Sequence, residues 1–566
     1  MMKKACIAAH YAITPLGAGS MANYMAVRDG FSALQYREGL FGLSEPTCAS
    51  VMDYDALRKF VGEKASALTN FETLCVASAA PALVISGINP ASPDVRFAFS
   101  TTKANVSLMG LDEFSNADVA AAKVVAALGG ITSPIVVSNA CISGLAAQIV
   151  AKRLIERGEA RYVVVIGADE LSRFVVSGFQ SFKALSTDVC RPFDANRNGL
   201  NLGEASATII FEAKENPDVG EFVLSDGAIC NDANHISGPS RTGEGLFRCI
   251  KALNISKDNK PGFINAHGTA TLYNDEMESI AISRADLLEV PVYSLKGHFG
   301  HTLGAAGVLE TIISLMAAEE GYVLPTIGFA EHGVGNRVNV SAEGANSGEI
   351  NSFAKIMSGF GGVNAAVRFC RGAQPENHEK KDLFVVDSCI IDNSENLEDL
   401  YRSMNIKYPK FHKMDGLCKL SFLAAEKLLG APDGADAEQT AVVLVSQSGC
   451  NHNDARYYAT IGEDDFYPSP AIFVYTLPNI ATGEIAIRHH LNTETSAYLI
   501  SPEQTTDIYG FVSDALADAS VSRVLLLMAD YNTDGSYRCN AMLIGTETTT
   551  QPFNIQTILK YGTANS

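Results

Sequence analysis

The sequence predicts an α/β protein in which a main core is followed by a smaller α/β segment related to the core's beginning, and three observations predict this. Short apolar runs, such as Phe97-Ala98-Phe99-Ser100, Ile135-Val136-Val137 and Tyr162-Val163-Val164-Val165-Ile166, alternate with alanine-rich helical segments. That is the pattern of buried strands joined by crossover helices. A polar stretch from Arg371 to Lys381 separates the Gly-rich segment at 359–362 from a fresh apolar run, Leu383-Phe384-Val385-Val386, and marks a domain boundary. Finally, the run from Val163 to Asp169 has a counterpart in the run from Val524 to Asp530, which makes the last segment a diverged copy of the first.

The multi-core reading follows from size. With 566 residues and 47% hydrophobic content, the chain exceeds the roughly 250–300 residues at which a single core stops growing. Each half of the copy is then read in order. With a two-residue deletion in the intervening helix, Leu128, Thr132, Ser133 and Ser138 face the identical residues Leu491, Thr495, Ser496 and Ser501, which puts Gln504 opposite Cys141. The copy has then lost its thiol. The competing explanation is chance likeness between two buried strand-helix units.

Composition limits the function classes. There are 43 basic and 63 acidic residues, a net charge of -20, which argues against a general nucleic-acid surface and leaves an acidic partner to find a local basic patch. The twelve cysteines include no CxxC pair, so reduced thiols in a cytoplasmic setting are the simplest expectation. The apolar run after Lys3 and Lys4 stops too early for a signal-peptide core. The mild apolar stretch from Val76 to Ile88 is interrupted by Pro81 and Gly87 and is shorter than the ~20 residues of a spanning helix. No membrane span is expected.

Three segments carry candidate chemistry. Around Cys141, Ile135-Val136-Val137 turns through Ser138-Asn139-Ala140 into the helical pattern Ser143-Gly144-Leu145-Ala146-Ala147. A cysteine at a helix N-terminus gains from the unpaired N–H groups, which predicts a lowered thiol pKa and a larger nucleophile fraction. A buried structural cysteine is the alternative. Asn265-Ala266-His267-Gly268-Thr269-Ala270-Thr271 follows an apolar run, and the segment from Ser294 to Gly307 offers Lys296, His298 and His301 before a small-residue helix. One cysteine with separated histidines suits nucleophilic catalysis. A metal site is the rival, but no HxxxH or CxxC spacing joins these residues on one helix face, so no metal is expected.

In this order, the three segments resemble the β-ketoacyl-acyl-carrier-protein synthases of the thiolase superfamily, especially the elongating type of fatty-acid and polyketide synthesis. Further landmarks are Ile13-Thr14-Pro15-Leu16-Gly17, Arg191-Pro192-Phe193-Asp194, Gly203-Glu204 and Gly359-Phe360-Gly361-Gly362, and the likeness covers roughly residues 1–370. It implies a thiolase-like layered α-β-α-β-α core of two related halves, 1–212 and 213–370, then a linker 371–382 and a third α/β half-domain, 383–566, lacking the nucleophile. By the same resemblance, Cys141 carries the acyl chain as a thioester, while His267 and His301 assist malonyl decarboxylation and stabilise the enolate. Lys296 and Glu310 orient and charge the site, and the N–H groups of Cys141 and Phe360 form an oxyanion hole, with Phe360 as a gate over the nucleophile. Thr269 and Thr271 hold the phosphopantetheine arm. No soluble cofactor is implied, since acyl and malonyl thioesters arrive on an acyl carrier protein; a homodimer is implied.

Some residues depart from the family's pattern. The stretch Arg197-Asn198-Gly199-Leu200 differs from the usual Arg-Asp-Gly-Phe loop, and Val363 replaces a common threonine, which bears on acyl choice more than on the reaction. In the last segment, Tyr467-Pro468-Ser469-Pro470, Leu477-Pro478-Asn479 and Gly483-Glu484-Ile485 resemble synthase-like domains of bacterial pigment and aryl-polyene pathways. Two alternatives stay open: a non-catalytic chain-length-determining partner or scaffold, and a thiolase-type acyltransferase whose second cysteine would be Cys370. The third segment is expected to shape a surface or tunnel while catalysis uses only the first two halves.

Overall fold

A computed structural model describes residues 3–111, 114–372, 381–432, 439–462 and 468–562. Residues 373–380 of the expected linker 371–382, and Tyr467, lie outside the described residues.

One strand order occurs three times. In the first unit β1 (Lys4–Thr14), β2 (Val95–Ser100), β3 (Ile135–Val137), β4 (Tyr162–Asp169) and β5 (Ala205–Lys214) lie in the order β1-β5-β4-β2-β3, with β4, β2 and β3 parallel. In the second, β6 (Phe222–Asn231), β7 (Ile264–Asn265), β8 (Pro291–Tyr293), β9 (Ser352–Gly359) and β10 (Val363–Arg371) lie in the order β6-β10-β9-β7-β8. The third repeats it as β11-β15-β14-β12-β13, from β11 (Phe384–Asp392), β12 (Thr440–Ser446), β13 (Thr495–Leu499), β14 (Arg523–Tyr531) and β15 (Tyr537–Gly545). The first unit's last strand thus runs to Lys214, two residues past the boundary read from sequence. The central strands read as continuous β-branched runs because helices cover both faces, as in β4, where seven of eight residues are buried.

The helices that matter for the site are α1 (Asn70–Ser86), α2 (Ser143–Glu156), α3 (Arg173–Ser181), α4 (Leu272–Arg284), α5 (Ala306–Glu320), α6 (Gly416–Leu429), α7 (Asn479–His489) and α8 (Thr505–Ala517). A Thr69–Glu72 capping box starts α1 and Gly87 in the left-handed region ends it. Among the described residues no single helix is long and apolar enough to cross a membrane; Tyr54–Ala67 and Asn70–Ser86 pass such a test only as a pair bent by 113°.

The repeat seen in sequence is a true structural repeat. Asp169 accepts hydrogen bonds from Thr101 Oγ1 (2.6 Å) and the Thr102 amide at the end of β2. Asp530 likewise accepts from Ser446 Oγ (2.9 Å) and the Gln447 amide at the end of β12. The register corrects one detail. Ser100 pairs with Gly167 and Val137, while Val445 pairs with Met528 and Tyr498, so Val137 is equivalent to Tyr498. Counting on, Pro502 rather than Gln504 stands opposite Cys141, and Ser138 matches Leu499 rather than Ser501. Identical serines and threonines misled because slipping a short strand by two residues preserves its alternation.

The third unit closes an edge of the first. Tyr498 in β13 pairs antiparallel with Val137 in β3, and the Ser138 amide donates to the Ala497 carbonyl at 3.1 Å. Ion pairs of low exposure flank this seam: Arg153 with Glu494 and Arg96 with Asp507, each at 2.7 Å, and Lys103 with Asp454, also at 2.7 Å. A second copy of the chain, in the dimer expected from the resemblance, would therefore have to dock on a surface other than the β3 edge.

Candidate active site

The nucleophile's position follows from a tight turn. After β3 the chain passes through Ala140, held at φ +47°, before Cys141 and α2. Ser143 stabilises this elbow by accepting from the Asn139 amide (2.8 Å) and donating to the Ala140 carbonyl (2.6 Å). Two other non-glycine residues with positive φ, Ala270 and Leu303, sit beside the two histidine segments. Left-handed backbone costs an L-residue about 1–2 kcal/mol, and such strain gathers where a side chain must be aimed.

Glycines bring the segments together. A Cβ on Gly144 would lie 2.8 Å from the Gly307 Cα, so α2 and α5 touch backbone to backbone at their N-termini. That contact places Cys141 beside His301: one ligand atom from each of Cys141, His267 and His301 lies within 4.8 Å of the other two. The two imidazoles meet edge to face, 4.9 Å between centroids.

Both histidines are buried and neutral, and His301 is arranged as a donor. His301 Nδ1 accepts from the Leu303 amide at 3.3 Å, which assigns its proton to Nε2, a buried atom with no protein partner among the described residues. Its backbone is gripped by Asn201 and Gly203, so the segment that continues from the departing Arg197–Leu200 stretch acts on His301. His267 is fixed through its main chain: Glu278 of α4 accepts the His267 and Gly268 amides, each at 2.7 Å. Burial, and then the charge of Lys296, pushes the pKa of each imidazole well below its ordinary value.

The thiol differs from expectation. Burial pushes Cys141 up to about 11; the Lys296 ammonium and hydrogen bonds from the Phe360 and Cys141 amides oppose this without overcoming it. The helix N-terminus is present, but around the partly exposed Cys141 burial still penalises thiolate more than those amides favour it. The same two N–H groups are the pair expected to form an oxyanion hole.

Behind the histidines lies a buried charge cluster. Lys296 and Lys355 bind the two oxygens of Glu310, Lys355 at 2.7 Å, and together they hold its carboxyl below the ordinary value against the effect of burial. Lys355, on β9, also donates to the carbonyls of Ala266 (3.0 Å) and Ile356 (3.2 Å), and burial lowers its pKa to about 8. Sequence reasoning missed Lys355 and Glu278. The signal for the first was a lysine inside the apolar run Phe353-Ala354-Lys355-Ile356-Met357.

The other candidates separate. Thr269 and Thr271 hydroxyls lie 3.0 Å apart, next to His267. His298 points away, bonding the Phe31 carbonyl at 2.8 Å. Cys370 sits at the end of β10 remote from the site, bonded to Ser225; seven residues of strand from Val363 span about 23 Å, which removes it as a second thiol. Phe360 stacks on Phe179 of α3 (6.2 Å) and packs on Phe182 (5.8 Å), and both rings meet Phe473 of the third unit.

Comparison with known proteins finds likeness in the first two units and in the overall fold. Residues 60–216 match the β-ketoacyl synthase N-terminal domain and residues 222–330 its C-terminal domain. A 3-oxoacyl-[acyl-carrier-protein] synthase 2 of Rhizobium meliloti is 33% identical over 251 residues, 41% of this chain and 59% of that protein. The tetracenomycin polyketide synthase ketoacyl synthase alpha subunit of Streptomyces glaucescens is 32% identical over 255 residues, 42% of this chain and 59% of that protein. The chain thus spans about three fifths of the length of the curated relatives it matches. A solved PfaC ketosynthase–chain length factor shares the fold over 97% of this chain and 79% of its own, at TM-score 0.80 and 13% identity. The fold is the mixed α/β, thiolase-like ketosynthase fold, and the matches to the two β-ketoacyl synthase domains fall within the first two units.

Proposed function

We propose that the protein is a β-ketoacyl-acyl-carrier-protein synthase, condensing an acyl thioester on Cys141 with a malonyl unit in fatty-acid or polyketide synthesis. The observation that carries the reading is the convergence of Cys141, His267 and His301, with neutral imidazoles and two amides aimed at the sulfur.

In the first half-reaction the Cys141 sulfur bonds to the acyl carbonyl carbon. The tetrahedral oxyanion takes the N–H groups of Cys141 and Phe360, the carrier's sulfur leaves, and the thiol proton ends on it. In the second, the malonyl carboxylate departs as CO2 and its bonding pair moves into a thioester enolate, whose oxygen takes the histidine N–H groups. Preorganised donors in a dry site stabilise that charge without the reorganisation water requires. The enolate carbon then bonds to the acyl carbon, the C–S bond breaks, Cys141 leaves as a thiolate that takes a proton from water, and a 3-oxoacyl thioester remains on the carrier. Neutral imidazoles suit this step, since each still donates one N–H whereas an imidazolium is acidic enough to protonate the enolate and quench it.

The carrier protein is the proposed partner, its phosphopantetheine arm passing Thr269 and Thr271. The test supplies acyl-loaded and malonyl-loaded carrier protein and measures acyl mass on Cys141 together with CO2 release. Acylation with release is expected; neither signal across several acyl lengths would instead favour the non-catalytic partner.

A further inference from the structure

The Gly-rich loop that carries the Phe360 amide is held by two different units. The Gly361 carbonyl accepts from Asn231 Nδ2 (2.9 Å), and the Gly362 carbonyl accepts from the Asp232 amide (2.7 Å) and Asn364 Nδ2 (3.0 Å), all within the second unit. The Phe360 carbonyl instead accepts from Asn479 Nδ2 at 2.7 Å, from the first residue of α7 in the third unit. Asn479 is fully buried, and its Oδ1 has no partner among the described residues, so the side chain is oriented by this one bond.

The backbones are fitted to each other at this point. Gly361 has φ +89°, and a Cβ there would lie 2.5 Å from Asn479 Nδ2. A Cβ on Gly483, one turn along α7, would lie 2.6 Å from the Gly361 carbonyl oxygen. Any side chain at either position would push α7 off the loop. Pro478, with φ near −63°, sets the start of the helix that presents Asn479. The Leu477-Pro478-Asn479 motif thus ends on the loop facing the nucleophile.

We infer that Asn479 is a positioning residue for the acyl-transfer step: by binding the Phe360 carbonyl it fixes the loop whose N–H faces Cys141, so the third unit completes the oxyanion hole of the first two. This rests on the ketosynthase reading and assigns work to a segment that has no cysteine opposite Cys141. A loop free to rotate about Phe360 would present its amide only part of the time, and a misaligned donor loses most of its value to a developing oxyanion.

The test uses the full chain with N479L, which keeps volume and removes the donor, and N479A, a smaller change should the first not fold. Two readouts are taken at matched thermal midpoint: the rate of Cys141 acylation by an acyl-pantetheine thioester, and the pH profile of Cys141 alkylation by iodoacetamide, both by intact mass. Acylation is expected to fall roughly ten- to hundredfold with little change in KM, and the alkylation profile to move to higher pH as the amide contact weakens. Acylation and alkylation within about twofold of the unsubstituted protein would overturn the inference, as would losses that merely track the unfolded fraction. If the unsubstituted protein takes no acyl group at all, the ketosynthase reading fails, while the alkylation profile still decides whether Asn479 sets the Phe360 amide.

Discussion

Replacing Lys355 by methionine should make the protein more stable and less active. Lys355 is wholly buried and shares Glu310 with Lys296, so two cations face one carboxylate. Its pKa, about 8 against the ordinary 10.5, means the folded state resists protonating it; that gap corresponds to about 3 kcal/mol lost to folding near neutral pH. Between pH 8 and 10.5 the unfolded chain binds more protons at this group than the folded one, so its contribution to stability rises with pH across that window. A methionine removes the penalty and leaves Lys296 and Glu310 as a one-to-one pair, consistent with buried ions often being replaceable by apolar groups at no loss. Denaturant unfolding of K355M and the unsubstituted protein should therefore differ by about 1–3 kcal/mol in favour of K355M at pH 7, with the gap closing towards pH 10. CO2 release should fall at least tenfold, because one of the charges behind His267 is gone. Destabilisation of K355M by more than about 2 kcal/mol at pH 7, or a gap that does not change with pH, would refute the reasoning.

Three other outcomes follow from the same geometry. H267A and H301A should each lower malonyl decarboxylation by about 10²–10³, the usual cost of one oxyanion donor, while Cys141 still accepts an acyl group; single-turnover assays with labelled malonyl carrier protein separate the steps. Alkylation of Cys141 in the resting protein should keep accelerating up to pH 10 or beyond instead of levelling near 9, because burial raises the thiol to about 11; a plateau below pH 8, read by mass, would contradict this. F473A removes the ring against which Gly178, Phe179 and Phe182 pack, and should cost about 3 kcal/mol in denaturant unfolding and shift acyl-carrier preference towards longer chains.

The parts of this molecule that sequence exposes and the parts it hides differ in physical kind. Cys141, His267 and His301 stand in short segments with small neighbours, so local composition marked them before any tertiary contact was known. The Val163 and Val524 runs were matched because buried central strands admit few residue types, and both end in an aspartate that caps the neighbouring strand's turn. The alignment slips upstream of the Val524 run, through β13 to Gln504, where a short strand shifted by two residues keeps its alternation. Lys355 is hidden because its partner Glu310 is 45 positions away in sequence, so nothing near it distinguishes a site lysine from an interrupted strand. The thiol's pKa is hidden for a related reason: a helix N-terminus can be read from a few residues, whereas the burial that outweighs it arises only once distant segments pack around Cys141. Asn479 belongs with these. Its residue type is unremarkable at a helix start, and its significance exists only once β13 has paired with β3 and carried α7 onto the loop at Phe360. The division between a core that reacts and an appendage that covers it therefore fails at one bond: the third unit carries none of Cys141, His267 and His301, yet the loop whose N–H faces Cys141 is held from its side.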